Sequence, residues 1–209
     1  MKINIHFTAF LLAILITSCA RIYKSPELEA SVASHRIVAI APPKVSISAQ
    51  KKVDAAALKE QQKTESNNFH QEISNWMLKR KMQGRISVNI LDIETTQVKL
   101  QKAGHYGSNP LTPDEICELL EVDAIITSNF ALSKPMSEGG AIALGLLVGV
   151  WGSTNEADVT LGIYDRKTKS VIWNFEHTVS GSVGSSPARL VENLMSYASR
   201  KLPYRTKGN

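Results

Sequence analysis

Hydrophobic and polar positions recur along this chain with periods that divide it into short elements. Arg36-Ile37-Val38-Ala39-Ile40-Ala41 is rich in β-branched residues and is closed by Pro42-Pro43, the pattern of a buried, central, parallel strand. From Val53 to Lys81 the period becomes helical, with Phe69, Ile73, Trp76 and Met77 on one face. Its earlier half, from Lys59 to Asn68, is almost wholly polar and reads as a solvated helix extension or a loop. Gly84 stops the helix, and Ile86, Val88 and Ile90 then alternate as a second strand over Arg85 to Ile93. A short helix fits Ile93 to Lys102. Thr112-Pro113-Asp114-Glu115 is a helix start, with Thr as N-cap, Pro at the first helical position and Glu three residues after the cap. A third strand spans Asp123 to Leu132.

Two further alternating runs, Ala157-Val159-Leu161-Ile163 and Val171-Trp173-Phe175-His177, flank the polar turn from Asp165 to Ser170. They predict a β-hairpin with one apolar face. Ser186-Pro187 opens a last helix whose face is Leu190, Val191, Leu194, Met195, Ala198 and Leu202, and Pro203 ends it. The order β-α-β-α-β-β-β-α predicts one α/β domain, with a mixed sheet (α+β) in a two-layer or three-layer sandwich.

Two segments stand outside this regularity. The first is the start of the chain. Lys2 supplies a positive n-region, and Phe7 to Ile16 is an apolar run broken by Thr8. It is too short for a spanning helix, which needs ~20 apolar residues. It ends in Ile16-Thr17-Ser18-Cys19, which resembles a bacterial lipobox. That resemblance implies a signal peptide over residues 1–18, removed at export, and a lipid (palmitate among its chains) on Cys19. Residues 19–35 then read as a lipid-anchored tether. Ala20-Arg21 lacks the aspartate that retains lipoproteins at the inner membrane of enteric bacteria, so the resemblance favours the outer membrane, facing the periplasm.

The second segment is the glycine-rich run at 139–152, in which no charge occurs between Glu138 and Glu156. As a helix it carries a ridge of small residues, Ala141, Gly145 and Gly149, of the kind that lets two backbones approach closely. As a strand it places Ile142, Leu144, Leu146, Val148 and Val150 on one face. It is read as a buried packing element, a subunit or membrane-surface contact, or part of a pore. Ala141, Gly145, Gly149 and Trp151 are the candidate association residues.

Composition changes this picture little. At 43% hydrophobic and 21% charged, the chain is ordinary for a folded domain. The formal net charge of +5 and pI near 9.2 would raise nucleic acid as a partner in a cytoplasmic protein. The export signal removes that reading and leaves solubility, an anionic membrane surface or an acidic polymer. Of two cysteines, Cys19 is claimed by the lipid, so Cys117 is left as a buried small hydrophobe.

Candidate chemistry is sparse. His35, His70, His105 and His177 are scattered without paired ligand spacing, so no metal and no cofactor is expected. His177 reads as a core or edge histidine. The turn at Gly181 to Ser186 lacks the lysine of a phosphate-binding loop. Ser48-Ala49-Gln50-Lys51 has a penicillin-interacting spacing without its companion motifs.

Three stretches carry a family resemblance. Val38-Ala39-Ile40-Ala41-Pro42, Asp123-Ala124-Ile125-Ile126, and Ile163-Tyr164-Asp165 with Val171-Ile172-Trp173 resemble the strands of a superfamily of small periplasmic domains. It includes the outer-membrane activators of penicillin-binding proteins, the curli-secretion lipoprotein, and the N-terminal domain of the translocation protein that binds peptidoglycan-associated lipoprotein. The resemblance covers about residues 36 to 202 and implies binding and assembly, with no catalytic residue. Residues 36–203 are accordingly expected to form the periplasmic domain, with 139–152 as an insertion and 204–209 as a basic tail. The expected function is that of a lipid-anchored envelope scaffold acting by protein–protein association. Its expected partners are the membrane through Cys19, another envelope protein and a possible homo-oligomer, without nucleic acid. The alternatives are a subunit of an oligomeric secretion assembly and an enzyme acting on cell-wall or lipid material.

Overall fold

A computed structural model describes residues 20–48, 54–133, 155–181 and 186–206. In chain order its elements are β1 (Arg21–Lys24), α1 (Leu28–Ser34), β2 (Ile37–Ile40), β3 (Lys44–Ile47), α2 (Ala55–Met82), β4 (Asn89–Ile90), α3 (Ile93–Lys102), α4 (Pro113–Leu120), β5 (Ala124–Leu132), β6 (Asn155–Asp165), β7 (Ser170–Gly181) and α5 (Pro187–Ala198). The strands form one seven-stranded sheet in the order β1-β7-β6-β5-β2-β4, with β3 also beside β5. Pairs β2–β4, β2–β5 and β3–β5 are parallel, and β5–β6, β6–β7 and β1–β7 are antiparallel. This is the expected α/β domain with a mixed sheet.

The strand expected over Arg36 to Ala41 is β2, and after Pro42-Pro43 a further short strand, β3, follows that the sequence pattern did not predict. The Ala41 N–H still donates to the Ile126 carbonyl at 2.9 Å, and pairing resumes at Lys44 opposite Asn129. The prolines between have no N–H to give, so β2 and β3 follow the same edge of β5 with a break at that point.

The sheet has a core on each face. Along its length α2 and α5 cover one face. Phe69, Ile73 and Met77 of α2 meet Leu190, Leu194 and Met195 of α5 over Ile126, Leu161, Ile163 and Trp173. Phe69 stacks on Phe130 with ring centroids 4.1 Å apart. On the other face α3 and α4 bury Leu100, Ile116, Cys117 and Leu120 against Ala39 and Ile125. The sandwich therefore has three layers at β2 and β5 and two at the hairpin. The polar first half of α2 is helix, opened by Asp54, whose carboxylate accepts from the Ala56 and Ala57 N–H groups. The capping box at Thr112 and Glu115 is formed as the sequence predicts.

Four expectations need correction. Residues 21–34 are ordered parts of the domain rather than a tether. Arg21–Lys24 pairs along β7, and α1 buries Leu28 and Ser31. The strand expected over Arg85 to Ile93 shrinks to Asn89–Ile90 and an isolated bridge at Ile86, although Ile86 and Val88 are buried as predicted. Val171 does not share the Trp173 face. A bulge pairs Ile163 with Trp173 and Tyr164 with Val171, which leaves Ile172 as the extra residue. That residue shifts the alternation by one, so Ile172 and Trp173 are both buried while Val171 is 44% exposed. The tail is not free, since Tyr204 is buried and Arg205 bridges Ile86.

Candidate functional site

The sheet has two ends of different character. At the first, β5 stops at Leu132 and β6 begins opposite it. The Ser133 N–H donates to the Glu156 carbonyl at 3.0 Å, and the Glu156 N–H donates to Ser133 Oγ at 3.2 Å. These bonds hold the two flanks of the glycine-rich run side by side. The connections after β3 and β7 leave from the same end, because β3 runs parallel and β7 antiparallel to their neighbours there. So does the chain before β1. Arg21 pairs with Glu176, which pairs with Thr160, and β1 runs opposite to β7. Residues preceding Arg21 therefore head toward the end from which the glycine-rich run departs.

The expected site residues Cys19, Ala141, Gly145, Gly149 and Trp151 lie outside the described residues, as does the signal over residues 1–18. The structure places Ser133 and Glu156 at one end of the sheet, and Arg21 at mid-strand, opposite Glu176 and Thr160, with the chain before it heading toward that end.

The second end is a hydrogen-bonded clamp. His35 lies just before β2, Asp165 closes β6 and Tyr204 follows α5. His35 Nε2 is 2.8 Å from Asp165 Oδ1, and His35 Nδ1 is 2.7 Å from the Tyr204 hydroxyl. An ionised carboxylate only accepts, so Nε2 carries a proton, and a neutral ring accepts the Tyr204 hydroxyl at Nδ1. Burial by itself would raise the Asp165 carboxyl, but the hydrogen bonds from Thr168 and His35 outweigh it and hold the group below the usual carboxylate range. Burial also pushes the Tyr204 hydroxyl well above its ordinary value. Beside the clamp, Asp123 Oδ2 accepts the Arg36 and Ile37 N–H groups at 2.7 and 3.0 Å.

A cavity of about 330 Å³ opens here, lined in part by Ser34, Asp123 and Lys167. The only imidazole on it has both ring nitrogens engaged internally. That arrangement ties α1, the β6–β7 turn and the C-terminal segment together, which is a structural task. Sequence reasoning missed it because the partners are 130 and 169 residues apart and no local pattern joins them.

The other singled-out groups are structural. Cys117 is fully buried, and burial pushes its thiol up to about 12, which makes it a poor nucleophile. His70 donates from Nε2 to the Ile40 carbonyl at 2.8 Å, and burial lowers its pKa to about 4. His177 packs with Tyr197 and Phe175 at ring-centroid distances of 4.8 and 5.9 Å. No described helix is long and apolar enough to cross a membrane.

No family model matches the chain, and no curated protein matches it. Among solved structures, the chain is similar to lipoprotein GNA1162 from Neisseria meningitidis, with 9% identity, a TM-score of 0.47, and coverage of 79% of this chain and 96% of that one. It is similar to PelC from Paraburkholderia phytofirmans, solved as a dodecamer, with 10% identity, a TM-score of 0.44, and coverage of 91% and 99%. The LpoB C-terminal domain from Salmonella enterica gives 10% identity, a TM-score of 0.34, and coverage of 72% and 93%. At these identities and TM-scores the likeness carries no function across to this chain.

Proposed function

We propose that this chain is a lipid-anchored binding or scaffold protein of the bacterial envelope, held by Cys19 and acting by protein–protein association through the run at 139–152. It sits on the outer membrane, facing the periplasm. The observation that supports this reading is the shared sheet end. Both flanks of the glycine-rich run lie there, and the chain before β1 heads toward it. Cys19 stands two residues before Arg21, a reach of at most ~7 Å. With 21–34 folded into the domain, a lipid on Cys19 holds that end of the sheet close to the bilayer. The glycine-rich run then starts and finishes near the membrane, where a charge-free, apolar sequence meets either lipid or an anchored partner.

A run with this many glycines is a poor isolated helix, since each costs about 1 kcal/mol relative to alanine. Close packing against a partner offsets that cost. The test is crosslinking in native envelopes with the parent, Gly145→Leu and Gly149→Leu. The parent is expected in higher-mass species that both variants lose while keeping the parent's melting temperature. Identical crosslinking profiles in all three would remove the run from any interface.

A further inference from the structure

The end of the sheet away from the glycine-rich run carries a second feature. Four arginines, Arg80, Arg85, Arg200 and Arg205, line one open cleft of about 470 Å³, and no Asp or Glu lines it. They come from three places in the chain. Arg80 is in the last turn of α2, Arg200 follows α5, and Arg85 and Arg205 are brought together by backbone pairing. The Thr206 N–H donates to the Arg85 carbonyl at 3.1 Å, next to the Ile86–Arg205 bridge. The Arg80 guanidinium lies over the Trp76 ring, 4.9 Å from its centroid, and Trp76 is itself only 6% exposed. Stacking holds the guanidinium flat; Nη1 donates to Gln83 Oε1 at 3.5 Å, and the remaining N–H groups are left for a ligand. Among the described residues, the one lysine or arginine paired with a carboxylate is Lys169, with Asp114, so none of the four arginines is neutralised by a carboxylate.

Four like charges converging on one cleft repel one another and raise the local concentration of anions. Guanidinium forks match tetrahedral phosphate oxygens in pairs. We infer that this cleft is a binding site for a phosphate-bearing ligand. It goes beyond the association reading and does not depend on it. The helix α2 runs 28 residues, or ~42 Å, from the glycine-rich end to this one. A domain anchored as proposed above therefore presents the cleft away from its own bilayer, toward soluble or polymer-borne phosphate.

The probe is inorganic pyrophosphate, titrated calorimetrically into the purified full chain in mild detergent. Binding should weaken by about tenfold or more for each of Arg85→Gln and Arg205→Gln, the scale of a lost charge-assisted hydrogen bond. It should be unchanged in Arg189→Gln, an exposed arginine outside the cleft. Both cleft arginines are exposed, so these variants should keep the parent's melt, which is measured alongside. Retention on phosphatidylglycerol vesicles in excess of that on phosphatidylcholine vesicles, with the excess lost in the same two variants, would assign the phosphate to a lipid headgroup. Pyrophosphate binding without that excess would assign it to a soluble or polymer source. No pyrophosphate binding by the parent, or an equal loss in Arg189→Gln, overturns the site.

Discussion

The two ends of the sheet are built on opposite principles. At the far end, His35, Asp165, Tyr204 and Asp123 satisfy one another and the backbone with bonds of 2.7 to 3.0 Å. The buried charge there is paired, and the hydrogen bonds cross from the first helix to the C-terminal segment. At the near end, three connections leave the sheet, and two short bonds between Ser133 and Glu156 close the flanks of the longest. If the glycine-rich run is the association element, stability and association are separated in this fold. Changes at the far end should alter the melt, while changes to the glycine-rich run should alter assembly.

The largest expected effect lies between the two ends and sets the scale. Trp173 is fully buried, with its ring 6.0 Å from that of Phe175. Trp173→Ala should cost roughly 3–5 kcal/mol, as for other large buried aromatics, measured by chemical denaturation. Next, Asp165→Ala leaves the buried His35 Nε2–H without an acceptor and should cost up to about 3 kcal/mol, read from the same denaturation curves. If the ends are independent, the crosslinked species survive in this variant.

The third effect is a pH dependence. His70 has a folded pKa of about 4, lowered from 6.5 by burial, so the unfolded chain takes up its proton first. Stability should fall as pH drops from 6.5 to 4, by about 3 kcal/mol for a shift of this size. His70→Gln should flatten that slope. Asp165 acts in a lower window. Its folded pKa lies below the ordinary 3.8, so its contribution is complete well above that value and is lost as pH falls through the folded pKa. The smallest effect belongs to Glu121, which ends α4 in the left-handed region at φ 58°. Glu121→Gly should stabilise by about 0.5–1 kcal/mol, the relief of a conformation that glycine adopts freely, seen as a small rise in melting temperature.

The sequence disclosed those parts of the fold whose signal is local. Thr112 and Glu115 announce their helix within four residues, and the apolar face of α5 repeats with a helical period. The long-range parts were not legible. β1 has only four residues, and of these Ile22 alone packs against the core. Its pairing is decided by β7, some 150 residues away. The bulge at Ile172 breaks the alternation that led Val171 to be placed with Trp173. The clamp and the arginine cleft join residues from opposite ends of the chain, and Arg205, which reads as tail in the sequence, bridges Ile86. The candidate association residues were legible as an anomaly of composition, which marks a segment without fixing its contacts.

In the proposed arrangement the Cys19 end of the sheet faces the bilayer. It is tested most directly by placing a fluorophore at either end of one hairpin, at Asp158→Cys or Lys167→Cys, in the lipidated chain. Both positions are exposed, and about seven residues of strand, roughly 23 Å, separate Asp158 from the turn that holds Lys167. In vesicles containing spin-labelled lipid, the account predicts strong quenching at position 158 and little at 167. Equal quenching at the two positions, or stronger quenching at 167, would contradict it.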